Sequence, residues 1–377
     1  MVRICRNSER QPHSTHLLHQ MTERDLPTDP EPVDEEDEEV DQLYEHYAIR
    51  ADQGQEPLRV DRFLVNMMPK ISRSRIQRAA SSGFIFVNGE PVKSNYKVKP
   101  LDRVSMRLER PPMTLEITPQ EMPLEVVYED DWLLVVNKPA GLVVHPGHGN
   151  WDGTLLNGLA WYMRNNPDFD VNDPAIGLVH RIDKDTSGLL VIAKTAEVKS
   201  SLGKQFFDHS TRREYVAVIW GHMDPADGVL RSNLARDPRD RTRMAAFPYE
   251  GEVGKTAVTH YATEEYLGYL SQVRCRLETG RTHQIRVHLS NEGHPLFNDA
   301  VYGGDRILRG NRFASYKKFV ENAFAICTRQ ALHAQTLGFF HPILKRQMDF
   351  SSTLPPDMTA LIEKWRKYID DGNVENL

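Results

Sequence analysis

Downstream of residue 57 the apolar positions take up helical spacing: Val60, Phe63, Leu64 and Met67 recur on one face, and Pro69 interrupts them. Ser72 is placed to cap a second amphipathic run that reaches Ala80, and Gly83 ends it. The period then changes. Phe84-Ile-Phe-Val87 before Asn88-Gly89 is a strand followed by a tight turn, and residues 104–108 form a closing strand. Arg110-Pro-Pro-Met113 marks a linker, taken as residues 111–124. Beyond it, strand-like runs (Trp132-Leu-Leu-Val-Val136, Leu189-Leu-Val-Ile192, Glu214-Tyr-Val-Ala-Val-Ile-Trp220) outnumber helices, which include one near 196–208. Leu361, Ile362, Trp365 and Ile369 after Pro356-Asp357 predict a terminal helix. The expected fold class is α+β: a larger domain over residues 125–377 on a mixed, mostly antiparallel sheet, after a small α/β domain over residues 58–110.

Composition fits this division. A chain of 377 residues with 40% hydrophobic and 27% charged positions can fold as about two or three globular domains. Cys5, Cys275 and Cys327 are far apart and form no Cys-x-x-Cys pair, which argues against disulfides and zinc ribbons and for a reducing compartment. No apolar run approaches the ~18 residues of a membrane span, and no apolar signal core follows Met1, so a cytoplasmic protein is expected.

Charge changes the picture once it is sorted by segment. The overall net of −6 speaks against a polyanionic partner, but residues 1–57 hold 5 basic against 15 acidic side chains. That segment, with Glu31-Pro-Val-Asp-Glu-Glu-Asp-Glu-Glu-Val-Asp41 at its centre, is expected to be a disordered acidic tail. Residues 58–110 hold 12 basic against 4 acidic, the footprint of a nucleic-acid binder, with Arg73, Arg75 and Arg78 of the second helix as candidate phosphate contacts.

The candidate chemistry lies in Gly177-Leu-Val-His-Arg-Ile-Asp-Lys-Asp-Thr-Ser-Gly-Leu-Leu-Val-Ile192, where two β-rich runs flank a polar stretch centred on Asp183. Alternation puts Arg181 and Asp183 on one face of an extended strand end. A carboxylate beside an arginine is favoured in its charged form and can serve as nucleophile or base without a metal. In isolation, the same residues are also those of a turn with local ion pairs.

The longer string decides between these readings. His180-Arg-Ile-Asp-Lys-Asp-Thr-Ser-Gly188 resembles the signature of the RluA family of pseudouridine synthases, His-Arg-Leu-Asp-x-x-Thr-Ser-Gly, with Ile182 in place of leucine. The resemblance implies the pseudouridine synthase fold, a catalytic carboxylate at Asp183, and at Arg181 the arginine that enters the RNA and helps extrude the target base. Val135-Val-Asn-Lys-Pro-Ala-Gly-Leu-Val-Val-His-Pro146 looks like the family's opening motif, with a structural role beneath the site. Arg213-Glu-Tyr-Val-Ala-Val-Ile-Trp-Gly221 looks like the strand whose tyrosine stacks on the base, which implies that role for Tyr215. In Glu278-Thr-Gly-Arg-Thr-His-Gln-Ile-Arg-Val-His-Leu-Ser-Asn-Glu-Gly-His-Pro295 the resemblance makes Arg286 the partner that orients the carboxylate. That stretch also reads as a helix capped by Thr282, ended by Gly293, with Ile285 and Leu289 buried. Asn298-Asp-Ala-Val-Tyr-Gly303 differs from the family's Gly-Asp-x-x-Tyr-Gly at Asn298, and Leu332-His-Ala and Phe340-His-Pro342 complete the pattern.

Residues 58–108 resemble the S4 RNA-binding domain, departing at Leu101-Asp102 where the family has Gly-Asp. Together the two resemblances imply uridine isomerisation in RNA, and are most similar to the C and D types that act on large-subunit ribosomal RNA. A monomer is expected. No metal or cofactor is implied, since the reaction is redox-neutral, and neither a Gly-x-Gly-x-x-Gly nor a Gly-x4-Gly-Lys phosphate loop occurs. His145, His180, His283, His288, His333 and His341 lie in or beside the motifs; with His283 and His288 five apart, they are expected to be hydrogen-bonded residues. Two alternatives stand beside this reading: a non-catalytic RNA-binding or ribosome-assembly factor, and a hydrolase acting on another glycosidic bond.

Overall fold

The computed structural model describes residues 44–68, 71, 73–108, 117–147, 149–166, 169, 177–240, 242–311 and 313–372. The acidic run 31–41, Cys5, the capping Ser72 and the proline-marked stretch 110–113 lie outside the described residues. The chain divides into two compact units, Met1–Leu115 and Glu116–Leu377.

The first unit contains β1 (Tyr44–Arg50), β2 (Leu58–Arg59), α1 (Val60–Met67), α2 (Arg73–Ser81), β3 (Ile85–Val87), β4 (Glu90–Pro91), β5 (Lys97–Val98) and β6 (Arg103–Leu108). Val60, Phe63 and Leu64 of α1 and Ile76, Ala79 and Ala80 of α2 are buried against the sheet β1-β6-β3-β4. The β3–β4 turn uses Asn88 and Gly89 at φ 52° and 93°, the double left-handed geometry that matches hairpin twist. The expectation of a disordered tail up to residue 57 is corrected at its end. Tyr44–Arg50 pairs antiparallel with β6, and Tyr47 and Ala51 enter the core at 2% exposure each. The acidity of the segment as a whole had masked this local strand, whose apolar Tyr47 and Ile49 suffice once β6 supplies the backbone partners.

Asp61 of α1 is fully buried and accepts hydrogen bonds from Arg59, Arg73, Gln77 and the Arg62 amide. Burial disfavours its charge, but these donors prevail and hold its carboxyl far below the usual carboxylate range. Two guanidiniums share one carboxylate, so the cluster keeps a net positive charge while fixing Arg73 at the surface.

The second unit contains β7 (Glu125–Glu129), β8 (Leu133–Lys138), α3 (Leu155–Tyr162), β9 (Gly177–Leu178), β10 (Ser187–Ala193), α4 (Ala196–Phe207), β11 (Arg212–Trp220), β12 (Asp227–Arg236) and β13 (Met244–Phe247). β14 (Lys255–Leu267), β15 (Leu270–Leu277), α5 (Gln284–Asn291), α6 (Ala314–Ile326), β16 (Leu332–His341), β17 (Arg346–Ser351) and α7 (Pro356–Asp370) complete it. The sheet runs β13-β12-β14-β15-β11-β16-β10-β8-β7, with β17 on β16 and β9 on β10. Every described pairing is antiparallel except β10 with β16, so the α+β class with a mixed, mostly antiparallel sheet holds.

Leu361, Ile362 and Trp365 of α7 pack with Tyr316 and Val320 of α6 against Trp220 of β11. The second half of the expected linker is not free chain. Ile117 is buried, and Asn157 of α3 donates to the Thr118 carbonyl and accepts the turn at Gln120 through its own carbonyl.

The single parallel contact among the described residues, Ser187 with His333 and Gly188 with Ala334, is where strands from distant parts of the chain meet beside Asp183. Gly188 has φ 124°, and a Cβ there would lie 2.2 Å from the Ala334 carbonyl oxygen. The three nearest atoms are all backbone of Ala334, so no flexible side chain is there to yield. Gly188→Ala is therefore expected to lower stability by about 3 kcal/mol, read as a lower denaturant midpoint.

Candidate active site

Asp183 sits in the loop between β9 and β10, so the strand end expected for Arg181 and Asp183 is corrected to a turn. The alternation is not kept: Ile182 is buried in the core, yet it lines one cavity together with Arg181 and Asp183. The turn closes through the Thr186 amide and the Asp183 carbonyl, 3.2 Å.

Backbone atoms of this loop are gripped from below. Lys138, at the end of β8 and 1% exposed, donates to the carbonyls of Pro139, Leu142 and Lys184, each at 2.8 Å. Three acceptors suit the three N–H groups of an ammonium, although burial pulls its pKa down to about 7. The Lys184 carbonyl also accepts the Gly141 amide, which explains the Lys-Pro-Ala-Gly turn beneath the site. From the other side Arg329 donates to the Asp185 and Leu332 carbonyls and makes a two-pronged pair with Asp357 at the start of α7. Neither Lys138 nor Arg329 was singled out from the sequence.

The Asp183 Oδ2 accepts from Arg286 Nη1 at 3.1 Å. Arg286 lies on α5, 4% exposed, and its other edge is clamped by Asp299, Nε to Oδ2 at 2.7 Å and Nη2 to Oδ1 at 2.9 Å. Burial alone would lower the guanidinium pKa, but the charges and hydrogen bonds of Asp299 and Asp183 raise it above its ordinary value. Asp299 in turn accepts the amides of Val301 and Tyr302. It is a further site residue, visible in Asn298-Asp-Ala-Val-Tyr-Gly303 only as part of a turn. Asn298 takes the left-handed φ of 58°, and its amide donates to the Phe324 and Cys327 carbonyls, so the side chain compensates for the absent glycine. Leu101 likewise takes φ 66° where the S4 family has glycine, with its side chain half exposed.

The expected cap on α5 is corrected. Its N-cap residue is His283, left-handed at φ 55°, and not Thr282; the Gln284 side chain accepts from the Arg281 amide and the Thr279 hydroxyl. Gly293 ends the helix at φ 81°, and Ile285 and Leu289 are buried.

Tyr215 of β11 is 8% exposed and lines the same cavity, and burial raises its pKa. The cavity, about 530 Å³, falls within the ~300–1,000 Å³ usual for small-molecule sites. Arg181, Asp183, Tyr215 and Arg286 all line it, together with the buried Arg213, Arg281 and the exposed Phe207. Arg73, Arg75 and Arg78 belong to the other unit. There Arg73 and Arg78 are exposed and Arg75 is half-buried.

The motif histidines are bonded within the fold. His180 accepts the Val191 amide and stacks on Phe206, His288 bridges Ser232 and Thr259, and His333 bridges Ser187 and Ser352. Burial pushes His180 down to about 3 and His288 and His333 to about 4. These rings fold neutral, whereas in the unfolded chain they bind a proton below about pH 6.5. Stability is thus full above pH 6.5 and falls as pH drops towards 4, by about 1.4 kcal/mol per pH unit for each ring. Thermal unfolding measured from pH 7.5 to 4.5 should show the melting temperature falling below pH 6.5.

The RNA pseudouridylate synthase family model matches residues 132–291, and the S4 domain model matches residues 58–104. Ribosomal large subunit pseudouridine synthase D of Zymomonas mobilis is 44% identical over 309 residues, covering 81% of this chain and 93% of that protein. The protein of the same name from Escherichia coli O6:H1 is 43% identical over 322 residues, covering 84% and 93%. An uncharacterized RNA pseudouridine synthase of Chlorobaculum parvum is 43% identical over 313 residues, covering 83% and 95%. The solved structure of human RNA pseudouridylate synthase domain containing 4 shares the fold, with a TM-score of 0.50 and 23% identity over 64% of this chain and 93% of that one. With this similarity along both units, the chain belongs to the RNA pseudouridylate synthase family and is an S4-bearing enzyme that isomerises uridine to pseudouridine in RNA.

Proposed function

We propose that the substrate is large-subunit ribosomal RNA and that Asp183 is the catalytic carboxylate. The observation that carries the assignment is the single cavity in which Asp183, held by Arg286, faces Tyr215 and Arg181. The names of the relatives, ribosomal large subunit pseudouridine synthase D, support the choice of RNA.

Isomerisation breaks the bond from C1′ to N1, turns the uracil and joins C5 to C1′, with loss of the C5 proton and protonation of the freed N1. It requires a positioned carboxylate and a base taken out of its stack. Unstacking costs a few kcal/mol, and in this reading Arg181 enters the gap while Tyr215 stacks on the extruded uracil. Arg286 keeps Asp183 aimed. Arg73, Arg75 and Arg78 add affinity through phosphates without reading sequence. The described cysteines, Cys275 and Cys327, are buried free thiols, which suits a cytoplasmic enzyme. Among the described residues no helix is long and apolar enough to cross a membrane. The enzyme is taken to act as a monomer.

Mapping pseudouridine in ribosomal RNA from cells with and without the gene tests the substrate. Loss of one or a few large-subunit sites is the expected result, and an unchanged map of that RNA would overturn it.

A further inference from the structure

His283 has an unusual position: a non-glycine residue in the left-handed region, at the mouth of the helix that carries Arg286, with its ring in the catalytic cavity. Such backbone costs on the order of 1–3 kcal/mol and persists where the surroundings impose it. The ring nitrogens can be assigned from hydrogen-bond bookkeeping. The Met244 amide donates to the Tyr302 oxygen at 3.0 Å, and that oxygen lies 2.9 Å from His283 Nδ1. Burial pushes the Tyr302 phenol up to about 12, so it keeps its proton near neutrality. The phenol already accepts from Met244, and His283 Nδ1 is the acceptor in reach for its proton. The ring must then be unprotonated at Nδ1. Burial, aided by Arg286 and Arg236 against the charges of Asp183 and Asp299, lowers the His283 pKa and favours the neutral ring.

A neutral imidazole bonded in this way carries its proton on Nε2. That N–H points into the cavity and lies 3.9 Å from Asp183 Oδ2, too far for a hydrogen bond. No hydrogen-bond partner for Nε2 occurs among the described residues. The donor is held in a fixed tautomer, beside the carboxylate, and left open on the side where a nucleoside would enter.

We propose that His283 Nε2–H binds the target nucleoside, donating to an oxygen acceptor of the uridine that lies against Asp183, and that Tyr302 acts as the positioning residue that sets its tautomer. The inference rests on the assignment of Asp183 as the catalytic carboxylate. The acceptor is either the ribose 2′-hydroxyl oxygen or the uracil C2 carbonyl, each carried on an atom adjacent to the bond that breaks.

The test has two arms. Nitrogen-15 NMR of the full-length, histidine-labelled protein at pH 7 should show His283 neutral with the proton on Nε2, and Tyr302→Phe should shift it towards a tautomer mixture. A proton on Nδ1 in the unaltered enzyme would overturn the proposal, whatever any variant does. In single-turnover assays on an RNA substrate, His283→Asn tolerates the left-handed backbone but falls short of the cavity, and should slow turnover about 10- to 100-fold. His283→Gln, which restores a reaching N–H, should recover part of that loss, a pattern that a purely structural role does not give. Equal rates for the unaltered enzyme and both variants, with unchanged melting temperatures, would sink the idea. With a 2′-deoxyuridine target, the His283→Asn defect vanishes if the acceptor is the 2′-oxygen and persists if it is a uracil carbonyl. Should Asp183→Asn retain turnover, the catalytic assignment falls, while the NMR result still reports on the tautomer.

Discussion

Asp183→Asn is expected to abolish isomerisation, lowering kcat by about 10⁴-fold or more, while RNA affinity changes by no more than a few-fold. The substitution keeps the shape of the side chain and the possibility of a hydrogen bond to Arg286, but removes the charge on which the chemistry depends. Arg181, Tyr215 and the S4 unit are untouched, so the variant should bind RNA and leave uridine unchanged. Chromatography of digested RNA measures both products of interest. Unaltered uridine is the expected outcome, retained pseudouridine would remove Asp183 from the mechanism, and released uracil from the unaltered enzyme would mark it as a hydrolase.

Arg286→Ala should have the second largest effect, on stability and activity together. The guanidinium is the counter-charge of Asp299, which is 1% exposed, as well as the orienting partner of Asp183. Removing one member of a buried ion pair leaves the other without compensation, at a cost of about 3–5 kcal/mol. Activity should fall by about 10²- to 10³-fold because the carboxylate loses its aim. A paired change, Arg286→Met with Asp299→Leu, separates the two effects. It should regain much of the stability, by removing both charges, and none of the activity. Recovery of both would mean that Arg286 supports the fold alone.

How far the sequence discloses this arrangement depends on where each residue's signal resides. Arg181, Asp183, Tyr215 and Arg286 stand in strings long enough to carry a family resemblance, and the structure brings all four to one cavity. Asp299, Lys138 and Arg329 act on backbone atoms or on another side chain far along the chain, and no local period marks such contacts. Arg329 and Asp185, for example, are linked by a carbonyl hydrogen bond across 144 positions. The strands beside the motifs are legible because β8 and β10 are buried along most or all of their length. β12 and β13 are only partly buried and owe their order to pairing, β12 with β14 and β13 with β12, so their apolar pattern is too weak to announce them. The misplaced cap on α5 has a similar cause. Thr282 has the right chemistry for a cap, yet the left-handed turn at His283 starts the helix, and that turn depends on tertiary contacts.

The grip on the Asp183 loop also bears on how the enzyme can change over generations. Lys138 and Arg329 hold residues 184 and 185 by their carbonyl oxygens, which every amino acid supplies. The grip is made on backbone oxygens, with the Asp185 charge in addition favouring the Lys138 ammonium. Substitutions at position 184 can accumulate and retune the charge presented to different RNAs, while the carboxylate of the preceding residue, Asp183, stays at its station. Drift in substrate preference is thereby uncoupled from the upkeep of catalysis.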